Sequence, residues 1–423
     1  MTDLEPILTL WRELESASAD YVLATVVAVE GSSYRRPGAR MILAQDGRRV
    51  GTVSGGCLEA EVAKRAWWLT SAGPLVERFS TIEDDGERPY GSGCGGLVSI
   101  LLERRSTAAP VLAALHQAFT ARIPLAIATI LAGPRLGHRA FARTLGAPGP
   151  CVRTWESTTI DSVGAPGPCF RTWESTTIHS QGASAERVGH HEIQPNTLDS
   201  LAQSAFDRRA SLDHTLGLDG EPTRVWAEYR PARPGLWIFG AGDDARPLQR
   251  LARELGWFAA VADGRSHLAT RDRFPSADVT AIIDIPALPG PGLAHLDLHA
   301  TDAAVIMTHS FEQDSRILAS LLALDEPLAY IGVLGPQRRT REMLVEAAHL
   351  LDIPAEGSLI DQWLARIHAP TGLDLGAETP AAIALSILSE IQQTLNHATG
   401  QPLRVTRAAT DWPSGRLVNR AST

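Results

Sequence analysis

Two cysteines stand inside glycine-rich turns: Cys57 in Ser54-Gly55-Gly56-Cys57-Leu58-Glu59 and Cys94 in Gly91-Ser92-Gly93-Cys94-Gly95-Gly96. A packing cysteine prefers apolar neighbours on a helix or strand. These two sit where the backbone bends tightly and can approach a ligand. Gly55 and Gly56 open the start of an expected helix from Cys57, where unpaired N–H groups attract anions and lower a thiol pKa. Cys57 therefore reads as a thiolate or as part of a phosphate-binding loop. Cys94, held between Gly93 and Gly95, reads as a residue presented in a tight loop to something large. The plainer alternative is two small residues packed in turns. They are 37 positions apart and no Cys-x-x-Cys is present, which disfavours a structural zinc pair.

A second set of chemical residues follows the strand expected at Leu236-Trp237-Ile238-Phe239. Gly240-Ala241-Gly242-Asp243-Asp244-Ala245 is a Gly-x-Gly-x-x-Ala that opens a helix, and Asp263 ends the next strand, 23 residues after Gly240. That is the pattern of a Rossmann unit, whose acidic residue holds ribose hydroxyls and whose glycines let a pyrophosphate reach the helix start. NAD(P) or another nucleotide is one candidate ligand, set against a Rossmann fold used for something else, since Asp243 and Asp244 would repel phosphate unless one caps the helix or a cation intervenes. His309, in Thr308-His309-Ser310, and the pair Arg338 and Arg339 follow further strands. His309 is a candidate base, and the arginines are an anion clamp or solvated helix-start residues.

Composition narrows the chemistry. The formal net charge of −9 argues against a nucleic-acid partner. Lys64 is the sole lysine and no Gly-x-x-x-x-Gly-Lys surrounds it, so kinase, P-loop and pyridoxal-phosphate readings drop out. No Gly-x-Ser-x-Gly supports a hydrolase. The acidic start of the chain lacks a basic, then apolar, export signal, and no apolar run reaches a bilayer-spanning length. The expectation is a cytoplasmic protein with reduced cysteines and no membrane insertion.

The elements that must position these residues fall into an α/β chain. Residues 1–145 read as an α+β domain: an amphipathic helix through Leu4, Ile7, Leu8, Trp11 and Leu14, strands at Tyr21 to Val29, Leu97 to Glu103 and Leu125 to Leu131, and a hairpin about Asp46-Gly47. Residues 146–196 form an insert in which Gly146 to Val163 recurs as Gly164 to Gln181 with three changes, a tandem duplication that includes Cys151 and Cys169. His190-His191-Glu192 there reads as a solvated loop in preference to a metal site. Residues 197–232 complete the first domain or link it onward. Residues 233–398 alternate strands and helices, which argues for a doubly wound parallel sheet: strands at Val279 to Ile283, Ala304 to Met307 and Tyr330 to Leu334, a helix from Ile317, and another after the cap Thr379-Pro380. Residues 399–423 read as a loose tail.

Taken together, Glu30-Gly31-Ser32-Ser33-Tyr34-Arg35-Arg36-Pro37-Gly38-Ala39, the two cysteine loops, Phe239-Gly240-Ala241-Gly242, Tyr330-Ile331-Gly332, Gly335-Pro336-Gln337-Arg338-Arg339 and the run from Ala369 to Pro380 resemble the XdhC/CoxI family. The resemblance spans both domains in order and leaves out the insert and tail. It implies a maturation factor for a molybdenum hydroxylase of the xanthine dehydrogenase type. Such a factor binds the molybdenum cofactor (molybdopterin), supports its sulfuration and delivers it to the apoenzyme. It also implies a cysteine desulfurase as a second partner and a homodimer. Cofactor-binding residues would then be Cys57, Cys94, Gly55, Gly56, Gly95, Gly240, Gly242, Asp263, His309 and Arg338, with Cys57 and Cys94 as contacts to molybdenum or its sulfur. The chain departs from many relatives at Tyr34, where they carry proline, and at Asp243, where they carry histidine. The competing readings are an NAD(P)-dependent oxidoreductase, with His309 as base, and a passive nucleotide-holding module.

Overall fold

The computed structural model describes residues 4–31, 34–56, 58–80, 96–143, 197–218 and 220–406. Cys57, Cys94, Gly95 and the duplicated insert lie outside the described residues. Two compact units emerge, one built from the chain up to Pro124 and again from Pro231, the other from Leu125–Arg230.

The first part of the larger unit contains α1 (Leu4–Ser16), β1 (Tyr21–Glu30), β2 (Arg40–Ala44), β3 (Arg49–Gly51), α2 (Glu59–Leu69), β4 (Leu75–Ser80), β5 (Leu97–Arg104) and α3 (Arg105–Thr120). The strands form an antiparallel sheet in the order β3-β2-β1-β5-β4. Side chains alternate across a strand. Val22, Ala24 and Val26 thus share a core with Val62 and Ala66 of α2. Tyr21 faces the other way and reaches α1, donating to Glu15 at 2.7 Å and accepting from Trp11 Nε1 at 3.1 Å.

The smaller unit holds β6 (Leu125–Ile130), β7 (Arg139–Arg143), α4 (Leu198–Asp207), β8 (Leu212–Leu218) and β9 (Glu221–Arg230). Its antiparallel sheet runs β7-β6-β9-β8. Leu201, Ala202 and Ala205 of α4 pack on the face made by Ala126, Ala128, Val225 and Ala227. Thr197 and Ser200 close a reciprocal cap at the start of that helix.

The rest of the larger unit contains β10 (Gly235–Phe239), α5 (Ala245–Glu254), β11 (Phe258–Asp263), β12 (Val279–Ile282), β13 (Ala303–Ile306), α6 (Phe311–Leu322), β14 (Tyr330–Val333), α7 (Gln337–Leu350), α8 (Gly357–Leu364), α9 (Pro380–Leu395) and a short α10 (Leu403–Thr406). The five strands are parallel in the order β12-β11-β10-β13-β14. Both faces are covered, as parallel sheets require. Trp237, Phe239 and Ile306 meet α6, α7 and α8 through Leu318, Leu344 and Trp363. Leu236, Ile238 and Val305 meet α5 and α9 through Leu248 and Leu388. The expected doubly wound domain is borne out. Strand order reverses between β10 and β13, and in such sheets ligands bind outside the carboxyl ends at that point.

Candidate functional site

At the first glycine loop the described residues form a closed hydrogen-bond knot. Val53 and Ser54 N–H donate to Glu59 Oε1 at 3.1 and 2.8 Å, and the Ser54 hydroxyl donates to Oε2 at 2.6 Å. Ser54 Oγ in turn accepts from the N–H groups of Gly56 and Leu58, each at 3.1 Å. Burial pushes the Glu59 carboxyl up, but the Ser54 hydroxyl and the loop amides outweigh it and hold the group below the ordinary glutamate range. The helix thus starts at Glu59, and the Gly56 and Leu58 amides that sequence left open to an outside anion are served by the Ser54 hydroxyl oxygen, which the Glu59 carboxylate holds in place. Gly55 and Gly56 are exposed on this loop. A Cβ on Gly55 would stand 3.3 Å from Tyr34 Cγ, so the glycine lets that ring lie against the loop backbone. The ring is itself 78% exposed. The signal for the knot was present in Ser54 and Glu59, flanking the glycines, but a sequence does not show which way a carboxylate turns.

The carboxyl ends of the parallel strands gather most of the second set. Gly240 has φ +128°, and a Cβ there would strike Met307 O at 2.5 Å, so β10 and β13 touch at the switch point. Asp263, fully buried, accepts from Ala241 N–H at 2.7 Å and from Arg265 through its N–H, Nε and a terminal nitrogen at 2.8–2.9 Å. Burial raises the Asp263 pKa, but the Arg265 guanidinium and the two amides more than reverse this, and the carboxyl lies below its ordinary value. Asp243 pairs with Arg273 at 2.9 Å.

Asp244 stands at the N-cap of α5 without capping it. Its Oδ2 lies 2.8 Å from His309 Nε2, joining the loop after β10 to the loop after β13. His309 has φ +65° and its side chain is 63% exposed. Its loop is strapped by Asp314, whose Oδ1 accepts from Thr308 N–H and hydroxyl at 3.1 and 2.6 Å. Asp314 Oδ2 receives Arg339 at 2.6 Å.

Gly240, Gly242, Asp263 and His309 therefore come together, while Arg338 does not join them. It is 91% exposed and pairs with Glu342 one turn along α7. Arg339 is the arginine turned inward. Arg265 and Asp314 escape a sequence reading although their partners Asp263 and Thr308 lie two and six residues away, because side-chain direction in a loop is not written in the sequence; of these links only Arg339–Asp314 is longer-range. A groove of about 710 Å³ lined by Glu5, Glu13, Arg48 and Arg253 contains none of the crevice residues. Among the described residues no group of three or more His, Cys, Asp or Glu side chains is placed to hold a metal. No helix among them is long and apolar enough to cross a membrane.

A Rossmann-type sheet whose crevice is lined by paired carboxylates, together with an antiparallel sheet whose following loop carries the glycines, defines an α/β protein with its candidate loops at strand and helix ends. The family model described as "XdhC Rossmann domain" matches residues 236–391, and that of the "XdhC and CoxI family" matches residues 14–80. The chain belongs to the XdhC and CoxI family, as the motifs implied. A protein of Bacillus subtilis (strain 168), named as a probable xanthine dehydrogenase component, is 30% identical over 393 residues, spanning 91% of this chain and 96% of that one. The "Molybdenum cofactor insertion chaperone PaoD" of Escherichia coli (strain K12) is 35% identical over 124 residues, 27% of this chain and 36% of that one. A crystal structure described as a xanthine dehydrogenase from Bacillus halodurans superposes with a TM-score of 0.62 at 26% identity, covering 96% of this chain and 100% of the other.

Proposed function

We propose that the protein is a maturation factor for a molybdenum hydroxylase of the xanthine dehydrogenase type. It binds the molybdenum cofactor as cargo, supports its sulfuration and hands it to the apoenzyme. The carrying observation is similarity along both domains to a relative named for xanthine dehydrogenase, together with a shorter match to a molybdenum cofactor insertion chaperone. The local chemistry agrees. Cys57 and Cys94 belong to glycine loops that suit a soft, sulfur-ligated metal, and the Ser54–Glu59 knot fixes the backbone on both sides of residue 57. In the Rossmann-type sheet, His309 is an exposed side chain of the crevice and the one we assign to cargo there. A cysteine desulfurase as sulfur source and a homodimeric state complete the reading.

The oxidoreductase reading has less support, since the acidic residue that would hold a ribose is already saturated by Ala241 and Arg265. The deciding experiment is anaerobic incubation with molybdenum cofactor, followed by gel filtration and assay of retained molybdenum and pterin. Stoichiometric retention is expected, with loss in Cys57→Ala or Cys94→Ala. Failure of the wild type to retain pterin would remove the proposal, and retention by both variants would reduce the cysteines to packing.

A further inference from the structure

In a dinucleotide-binding loop the second glycine lacks a Cβ so that the diphosphate can lie against the backbone. In this chain that space is already filled. A Cβ on Gly242 would stand 2.5 Å from Asp244 Oδ1, so a carboxylate oxygen occupies the volume the glycine frees. The carboxylate is held there from across the switch point by His309 Nε2, 2.8 Å from its other oxygen. The positive charge of Arg265 also feels Asp244. The ribose place is taken as well. A carboxylate offers about four acceptor positions, and Asp263 meets the Ala241 N–H and the N–H, Nε and terminal nitrogen of Arg265. NAD(P) therefore does not fit the residues present: its diphosphate would meet a like charge at the backbone, and its ribose would find no open acceptor.

We propose that Asp244 is a specificity-determining residue that closes the diphosphate place of the Rossmann loop, so that the domain rejects NAD(P) and other dinucleotides. His309 is its positioning partner. The inference concerns nucleotide choice alone and does not rest on the maturation reading.

NADH is the probe, titrated into the full chain and followed by its own fluorescence. The wild type should show no saturation below about 1 mM, and Asp244→Ala should bind at least about tenfold more tightly. The thermal midpoint of each protein is recorded alongside, and His309→Ala, which frees the carboxylate without deleting it, serves as a second variant with a smaller gain. Saturable binding of NADH by the wild type below about 0.1 mM would overturn the proposal. So would the absence of any gain in both variants. A protein that retains neither pterin nor NADH would end the maturation reading and leave this one standing.

Discussion

A buried carboxylate persists only where donors replace the water it loses. Glu59 receives two backbone N–H groups and one hydroxyl, and is 6% exposed. Glu59→Ala leaves those donors unserved beneath α2 and should cost about 2–4 kcal/mol, more than Glu59→Gln, which retains one acceptor oxygen. Urea unfolding at neutral pH checks the order. The sign of the pH effect follows from the direction of the shift. The folded Glu59 carboxyl binds its proton less tightly than the unfolded one, so its stabilisation is complete above the unfolded pKa. It is lost as pH falls through the lower, folded value. The stability gap between wild type and Glu59→Gln should therefore be full at pH 7 and shrink below about pH 4. A gap that widens on acidification would contradict the lowered pKa.

At the scale of elements, the turn from β10 into α5 depends on one glycine. Gly240→Ala forces a Cβ against Met307 O and Thr308 N, at 2.5 and 2.9 Å, from a backbone with φ +128°. Both objections are to backbone, which cannot rotate away, so a loss of about 3 kcal/mol or more is expected by thermal or urea unfolding. This loop was legible because its signals are local: an apolar run, a glycine pattern, then a helix periodicity. The same holds for β1, β5 and α9, whose runs and caps lie within single segments. Elements without such signals are harder to read. Pro110 sits inside α3 and reads as a break, yet Val111, Leu112 and Leu115 are buried on one side of it. The start of α6 at Phe311 is six residues before the expected Ile317, because Ser310 caps it by accepting from Gln313 N–H at 3.4 Å. The antiparallel pairing of β8 with β9, Leu218 opposite Glu221, escapes such a reading because β8 alternates exposed polar residues such as Asp213 and Thr215 with few apolar ones. The repeated segment is predicted to be dispensable: a chain lacking Gly164 to Gln181 should retain cargo as the full chain does. Loss of retention in gel filtration would show that the second copy has a role.

At the scale of the whole molecule, the links that matter are invisible to any local reading. Arg122, just after α3, is 3% exposed and grips Asp302 through both carboxylate oxygens at 2.8 Å, across 180 positions of sequence. It also donates to the carbonyl of Asp297 and lies over the Phe258 ring at 4.2 Å. Asp302 is completed by Trp237 Nε1 at 3.2 Å and His299 N–H at 2.9 Å, so the start of β13, the middle of β10 and the end of α3 share one buried charge. A buried pair of this kind is weak evidence of net stabilisation, but breaking it from one side strands the other charge. Arg122→Ala should thus cost about 3–5 kcal/mol, and Asp302→Ala a comparable amount. The double variant should cost clearly less than the sum, because no lone charge remains. Urea unfolding of the four proteins gives the coupling directly, and strict additivity would mean that the two residues act separately. If the coupling is found, loss of Arg122 should also loosen the parallel sheet around Trp237. Tryptophan fluorescence near that residue should then report a change before the antiparallel sheet of β1 to β5 unfolds.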